Sequence, residues 1–408
     1  MRTVVFCAAL AAIAFPSHGS AQSLDLSESE ALAQLSVDSP RVRAIRAGID
    51  IARVDVLTAA RWPNPRVTYD RESVAGITEH MTMVAQPLPI TGRRGLEVDA
   101  ATAMVAATSN RSDDEVRRLR ADLRLAFADL LAAQTREREL TAARDRLREL
   151  SEVLTKREAA GDAAGFDRLR AEREVLEIEA DRAAARVERA RAQGTLSAFF
   201  TDVPDPSRLA AVGVATAPTA VPPLAALVEQ AESIRGEILA LRREIEAAGF
   251  SERAANRRLI PEPEIVAGTK SSTAGGGDLG SVITVHATIP LFDRARPERA
   301  LAVARAAQAE ARLAAFRLTL RGQIAALRAV VVERRGAADR YRANAIASAD
   351  QIERIAQVSY EAGERGILEL LDAHRVGATA RIRQASLDAA VRQAEIELEF
   401  VSGWEIPS

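Results

Sequence analysis

Cysteine is almost missing: Cys7 is the only one in 408 residues, and it lies inside the apolar stretch TVVFCAALAAIAF. Its position there excludes disulfides and thiol chemistry from a processed chain and argues against an acylated lipoprotein cysteine. Aromatic residues make up only 4%, too few for a bulky core. The four histidines, His18, His80, His286 and His374, are dispersed, so no tight metal site is expected. The sequence also lacks Gly-x-Ser-x-Gly, a phosphate loop ending in Lys-Ser/Thr, and His-Glu-x-x-His; neither catalysis nor a cofactor is expected. A formal net charge of -2 gives no bias toward nucleic acid or an anionic surface. After the N-terminus no apolar run approaches about 18 residues, so no helix is expected to cross a bilayer. Any passage through a membrane would have to be made by strands, and those need a closed barrel.

Met1-Arg2 and the short apolar run after it read as a secretory signal, residues 1–21, cleaved near Ala21-Gln22. Arg2 leaves with it, which takes the formal charge from -2 to -3.

Two long tracts are rich in Ala, Arg, Glu and Leu. In the first, residues 92–200, Val116, Leu119, Leu123, Phe127 and Leu130 step by three and four, and Leu140, Leu147, Leu150 and Leu154 keep the rhythm. In the second, residues 297–404, Leu313, Phe316, Leu320, Ile324, Leu327 and Val331 do the same. This spacing predicts one apolar stripe per helix. Each tract has a glycine-marked break, REAAGDAAGFDRLRAE around Gly161 and YEAGERGILELLDAH around Gly363. Paired glycines suit a tight helix-to-helix turn, so each tract is expected to fold back as a long antiparallel hairpin, with tips near 161–166 and 363–368.

Between the tracts, residues 201–223 hold prolines without a heptad pattern and read as a connector. Pro-x-Pro opens a short alternating run twice, at Pro63-Asn64-Pro65 and Pro261-Glu262-Pro263. After the first, Arg66, Thr68, Asp70 and Glu72 take one face and Val67 and Tyr69 the other; beyond a turn at Ala75-Gly76, Met81, Met83 and Ala85 share a face. After the second, Ile283, Val285, Ala287 and Ile289 oppose Thr284, His286 and Thr288. Residues 63–91 and 261–296 are therefore expected to be β-hairpins. A helix precedes each, within 22–62 and 224–260. The chain reads as two copies of helix, strand pair and helical hairpin: mainly α with a small β part. Apolar-out, polar-in strands of about ten residues are the pattern of a transmembrane barrel. Taken alone, such hairpins also fit a half-buried pair on a soluble domain. Four strands cannot close a barrel, whereas three chains would supply twelve.

The tandem order, the proline-flanked strands (RWPNPRV and QPLPITGRR; LIPEPEI and TIPLFDRAR) and the tips AGDAAGFDRL and AGERGILELLDA together resemble the outer membrane efflux protein family, the TolC-like channels. The resemblance implies a homotrimer with a twelve-stranded barrel in outer-membrane lipid and an α-barrel tube across the periplasm. It also implies partners, a periplasmic adaptor and an inner-membrane pump. The prolines Pro63, Pro65, Pro87, Pro261, Pro263 and Pro290 would then mark sharp helix-to-strand corners. Glu369 and Asp372 match the family's pore constriction, with Glu in place of Asp at the first; their equivalents in the first copy, counted from Gly161, are Asp167 and Arg170, the latter a candidate latch to an acid on a neighbouring helix. Gly161, Gly165, Gly363 and Gly366 are candidates for adaptor docking. The stretch LPITGRRG resembles the heavy-metal efflux branch, which makes metal cations the candidate cargo. The alternative is a periplasmic coiled-coil scaffold or the adaptor itself, although an adaptor would carry one hairpin flanked by β-rich domains.

Overall fold

The structure is a computed structural model that describes residues 24–160, 165–201, 203, 205–213 and 219–405. The signal at 1–21, the candidate tip residue Gly161 and parts of the connector lie outside the described residues.

Helices dominate because long proline-free stretches carry a single apolar stripe. In the first half α1 (Glu28–Ala33) and α2 (Pro40–Ala60) precede α3 (Arg93–Ala159) and α4 (Gly165–Ser197). With 67 residues, α3 is about 100 Å long at 1.5 Å per residue. Leu123, Phe127, Leu130, Leu140, Leu147 and Leu154 are all buried along it. In the second half α5 (Leu224–Ile234) and α6 (Gly236–Arg257) precede α7 (Arg296–Tyr341), which passes through a π-helical turn at Arg342–Ile346 into α8 (Ala347–Glu361). The chain then reverses into α9 (Ile367–Ser402). Helix α3 packs along α2, α4, α6 and α9, while α7 packs on α6 and α9. The result is an arc with α4 on one flank and α7–α8 on the other.

Strands form where the period switches from 3.6 to 2. One sheet has the order β2 (Arg66–Val74), β3 (Ile77–Pro87), β5 (Pro263–Ser272) and β6 (Asp278–Ala287), antiparallel throughout. The two hairpins therefore lie side by side, joined by β3 against β5. Ala75 and Gly76, at φ 51° and 84°, turn the first hairpin in the left-handed pair of conformations that matches strand twist.

Four features depart from the sequence reading. The connector holds a strand, β4 (Leu209–Ala211), paired in parallel with β1 (Leu24–Leu26), so the described residues contain six strands. This small sheet covers the cluster of Leu26, Leu123, Phe127, Leu130, Leu196 and Leu209. The single helix expected before the second hairpin is broken at Arg235, whose ψ of 117° separates α5 from α6. The break seats Gly236 on α3, where an added Cβ would lie 2.0 Å from the Asn110 carbonyl oxygen. The π turn between α7 and α8 has no counterpart in α3. Finally, Pro87 and Pro290 stand where strands leave for helices, not where helices enter strands; only Pro63, Pro65, Pro261 and Pro263 lie on the approach to β2 and β5.

Charged side chains join the halves. Arg111 of α3 reaches Glu237 at 2.8 Å and Glu244 at 2.6 Å on α6. Glu28 of α1 accepts from Arg124 of α3 at 2.5 Å and from Arg392 of α9 at 2.8 Å, and Arg124 also pairs with Glu399. Burial opposes ionisation of Glu28, but the two arginines outweigh it and hold the carboxyl below its usual range. At Glu399 burial prevails and pushes the carboxyl up.

Candidate channel wall and tube tip

Register assigns each strand residue to a face. Arg66, Thr68, Asp70 and Glu72 stand beside Ala85, Met83, Met81 and Glu79, which stand beside Val266, Gly268, Lys270 and Ser272, which stand beside Thr284, Val282, Gly280 and Asp278. On this face Met83 is 9% exposed while its neighbour Val84, on the other, is 44% exposed. No helix packs substantially on the sheet, so the sheet curls toward the face that carries Met83, Ala85 and Val266. That concave face holds the strands' ion pairs, Arg66–Glu264 at 3.0 Å and Lys270–Glu79 at 2.6 Å, and also His286, beside Glu264. The convex face carries Val67, Val84, Ile265, Ala267, Ile283 and Val285, with Ile283 78% exposed. Its apolar side chains point outward with nothing covering them. The methionines thus share the charged, concave side, which the alternation within β3 alone does not reveal.

Both lateral edges of the sheet, β2 and β6, are unpaired among the described residues. Among the same residues no helix is long and apolar enough to cross a membrane.

At the far end of the helices the tip is built around Leu147, Leu154, Ala171, Ala356, Ile367, Leu370, Leu371 and Ala373. Gly363, at φ 73°, ends α8: its N–H donates to the Tyr360 carbonyl at 3.0 Å and that of Glu364 to Ser359 at 2.9 Å, the paired bonds of a left-handed C-cap. Gly366 is the N-cap of α9. Gly165 opens α4 against the Glu158 carboxylate, which a Cβ would meet at 2.6 Å, and Glu158 pairs with Arg168 across the first turn.

Glu369 and Asp372 are exposed, on the side of α9 away from the buried Leu370, Leu371 and Ala373. Glu369 lies in the first turn of its helix and Asp167 in the first turn of α4, where carboxylates also suit the helix dipole. Arg170 is exposed and makes no ion pair among the described residues. The structure thus places Glu369 and Asp372 together on one face; it does not join Arg170 to either within the chain.

Sequence reasoning missed the ion cluster above the tip. Glu353 of α8 binds His374 Nδ1 at 2.9 Å, Arg381 at 3.1 Å and Arg146 of α3 at 3.3 Å. Burial raises its carboxyl pKa, but bonds from Arg381 and His374 and the charge of Arg146 more than offset this and hold it low. Charges this frequent along every helix give no sequence signal for the one that gathers three partners. Among the described residues no group of three or more His, Cys, Asp or Glu is placed to hold a metal ion.

Comparison with known proteins follows the same outline. Residues 227–403 match the family described as outer membrane efflux protein. The chain is 24% identical over 364 residues to the cobalt-zinc-cadmium resistance protein CzcC of Cupriavidus metallidurans, covering 87% of this chain and 84% of that one. It is 28% identical over 290 residues to the nickel and cobalt resistance protein CnrC of the same organism, covering 69% and 67%. Its fold is that of the outer membrane protein VceC of Vibrio cholerae, with a TM-score of 0.72 at 17% identity over 92% of this chain and 96% of that one. The second half of the chain, residues 227–403, thus resembles the outer membrane efflux protein family, and the tandem of helical hairpins carrying a curled four-stranded sheet has the fold of VceC along nearly the whole chain.

Proposed function

We propose that three copies of this chain form one duct, a twelve-stranded barrel continued by a helical tube, that conducts heavy-metal cations out of the cell. The observation that carries this reading is the sheet's incompleteness. It is curled, charged within and apolar without, yet open along β2 and β6. An open edge is not tolerated in hydrocarbon, whereas β6 of one copy against β2 of the next keeps the alternating strand direction and adds four strands per copy. The helices support the same closure. The outer flanks, α4 and α8, leave Phe166, Leu169 and Leu176 on one and Ile352, Ile355 and Val358 on the other exposed, the faces a neighbouring copy would cover.

In this reading Glu369 and Asp372 form two acidic rings at the tube's periplasmic end, favouring cations, and Asp167 and Arg170 stand at the same level, with Arg170 latching to an acid of the adjacent copy. The turns at Gly161, Gly165, Gly363 and Gly366 meet a periplasmic adaptor, which links the duct to an inner-membrane pump. The segments set out above, from the signal at 1–21 to the second hairpin at 297–404, are the units of that assembly. Metal cargo is suggested by the names of CzcC and CnrC. Deleting the gene and challenging cells with cobalt, nickel, zinc and cadmium tests it: raised sensitivity, restored by the wild-type chain, supports metal export. Unchanged metal tolerance with altered tolerance to organic toxicants would reassign the cargo.

A further inference from the structure

We propose that Arg71, with His80 beside it, is a binding site for the phosphate of outer-leaflet glycolipid, set on the barrel's outward face at the level of the lipid headgroups. This rests on the barrel reading above. Register places Arg66, Asp70, Glu72, Glu79, Glu264, Lys270 and Asp278 on the concave face. Arg71 is the one arginine, lysine or carboxylate of the four strands on the convex face, and its register partner is His80. Both concave-face cations have carboxylate partners, but Arg71 is exposed and has no ion pair among the described residues.

The depth of Arg71 follows from the side chains below it. Apart from Gln86, which turns its amide back to the Pro63 carbonyl, the convex face is apolar from Ala287 through Val285 and Ile265 to Val67, Val84 and Ile283, and then turns to Tyr69, Thr82, Thr269 and Ser281, with Leu279 on β6 at the level of Arg71. On the helix side the apolar zone ends at Trp62 and at Phe292, which is 99% exposed. From Trp62 to Tyr69 an extended chain spans at most about 24 Å at 3.4 Å per residue, close to the apolar band of about 25 Å, edged by aromatic girdles, that barrels present to lipid. Arg71 lies two residues beyond Tyr69, roughly 7 Å further out. A barrel arginine there is inexpensive, whereas at the midplane it would cost about 2–4 kcal/mol.

The local chemistry suits a phosphate. A guanidinium offers two parallel N–H donors that match its oxygens. Tyr69 Oη lies 2.8 Å from His80 Nδ1, with the two rings stacked at 6.1 Å between centroids. When the phenol donates to Nδ1, the imidazole proton resides on Nε2 and provides a further donor beside Arg71. Because the strands' tips point away from the helical tube, the lipid at this level belongs to the outer leaflet, where the phosphorylated glycolipid supplies the anion.

The test is native mass spectrometry of the detergent-purified protein titrated with bisphosphorylated lipid A, its dephosphorylated form and inorganic phosphate. Wild type should retain the phosphorylated lipid, with Arg71→Gln/His80→Gln weaker by roughly ten- to hundredfold, the scale of charged hydrogen bonds. Lys270→Gln, on the concave face, should bind as wild type does. Equal retention of phosphorylated and dephosphorylated lipid, equal binding by the double variant, or tight binding of inorganic phosphate alone would overturn the site. A companion Ile283→Trp variant in bilayers with brominated acyl chains separates the two readings. Quenching of that tryptophan with unaltered lipid A binding in the double variant refutes only the phosphate site; an unquenched tryptophan refutes the barrel placement and the site with it.

Discussion

Gly268 of β5 stands directly opposite Met83 of β3, so close that a Cβ added to the glycine would lie 2.0 Å from the Thr82 carbonyl oxygen and 2.7 Å from Met83 Sδ. These two strands join the hairpins of the two repeats, and the close approach is what lets the sheet curl there. Gly268→Val should therefore prevent the strands from assembling, seen as loss of the proposed trimer in size-exclusion chromatography of the detergent-purified protein. Adding Met83→Ala should not restore it, because the nearest obstruction is backbone. A trimer recovered from Gly268→Val in the same amount as from wild type would contradict this geometry.

A second glycine joins the helical layers. Gly236 rests on the α3 backbone at Asn110, while Gly249, further along α6, has nothing within 4 Å of an added Cβ. Gly236→Ala should cost about 1–3 kcal/mol, as overpacking does, and lower the melting temperature. Gly249→Ala should be neutral or stabilise by up to ~1 kcal/mol through helix propensity. Equal melting temperatures for the two variants would remove the distinction.

Acid should loosen the tip through Glu353. Its folded carboxyl pKa lies below the ordinary 4.5, so the stability it contributes is fully present above that value and is lost as pH falls through the lower, folded one. Wild type should melt above Glu353→Gln at neutral pH, and the gap should close progressively once pH drops below 4.5. A gap that persists unchanged in strong acid would show that Glu353 acts by shape and not by charge.

The long helices were legible because Leu123, Leu130, Leu320 and Ile324 repeat at helical spacing over stretches free of proline, and the strands of the four-stranded sheet because Ile283, Val285 and Ala287 alternate. The turn at Gly363 was legible because a left-handed C-cap calls for glycine. What escaped depends on partners distant in sequence. Leu24–Leu26 and Leu209–Ala211 are each too short to show a period, and only their mutual pairing makes them strands. The break at Arg235 exists because Gly236 meets Asn110, and Glu353 is distinguished from other helix acids only by Arg146, His374 and Arg381 converging on it. The direction of Met83 is set by which way the sheet curls, a property of four strands together.

The tip acids carry the proposed selectivity. Glu369→Ala with Asp372→Ala should leave folding and oligomer yield intact, because both side chains are exposed and neither takes part in the buried cluster of Leu370 and Leu371. Thermal melting and gel mobility of the double variant check this, and a large loss of stability would assign the pair a structural role.

Conductance in planar bilayers tests the duct itself most directly. The protein, purified from outer membranes in detergent, should insert as a trimer and give small, cation-selective currents that grow and lose selectivity in Glu369→Ala/Asp372→Ala. A protein that stays in aqueous solution without detergent, remains monomeric and never conducts would contradict the account.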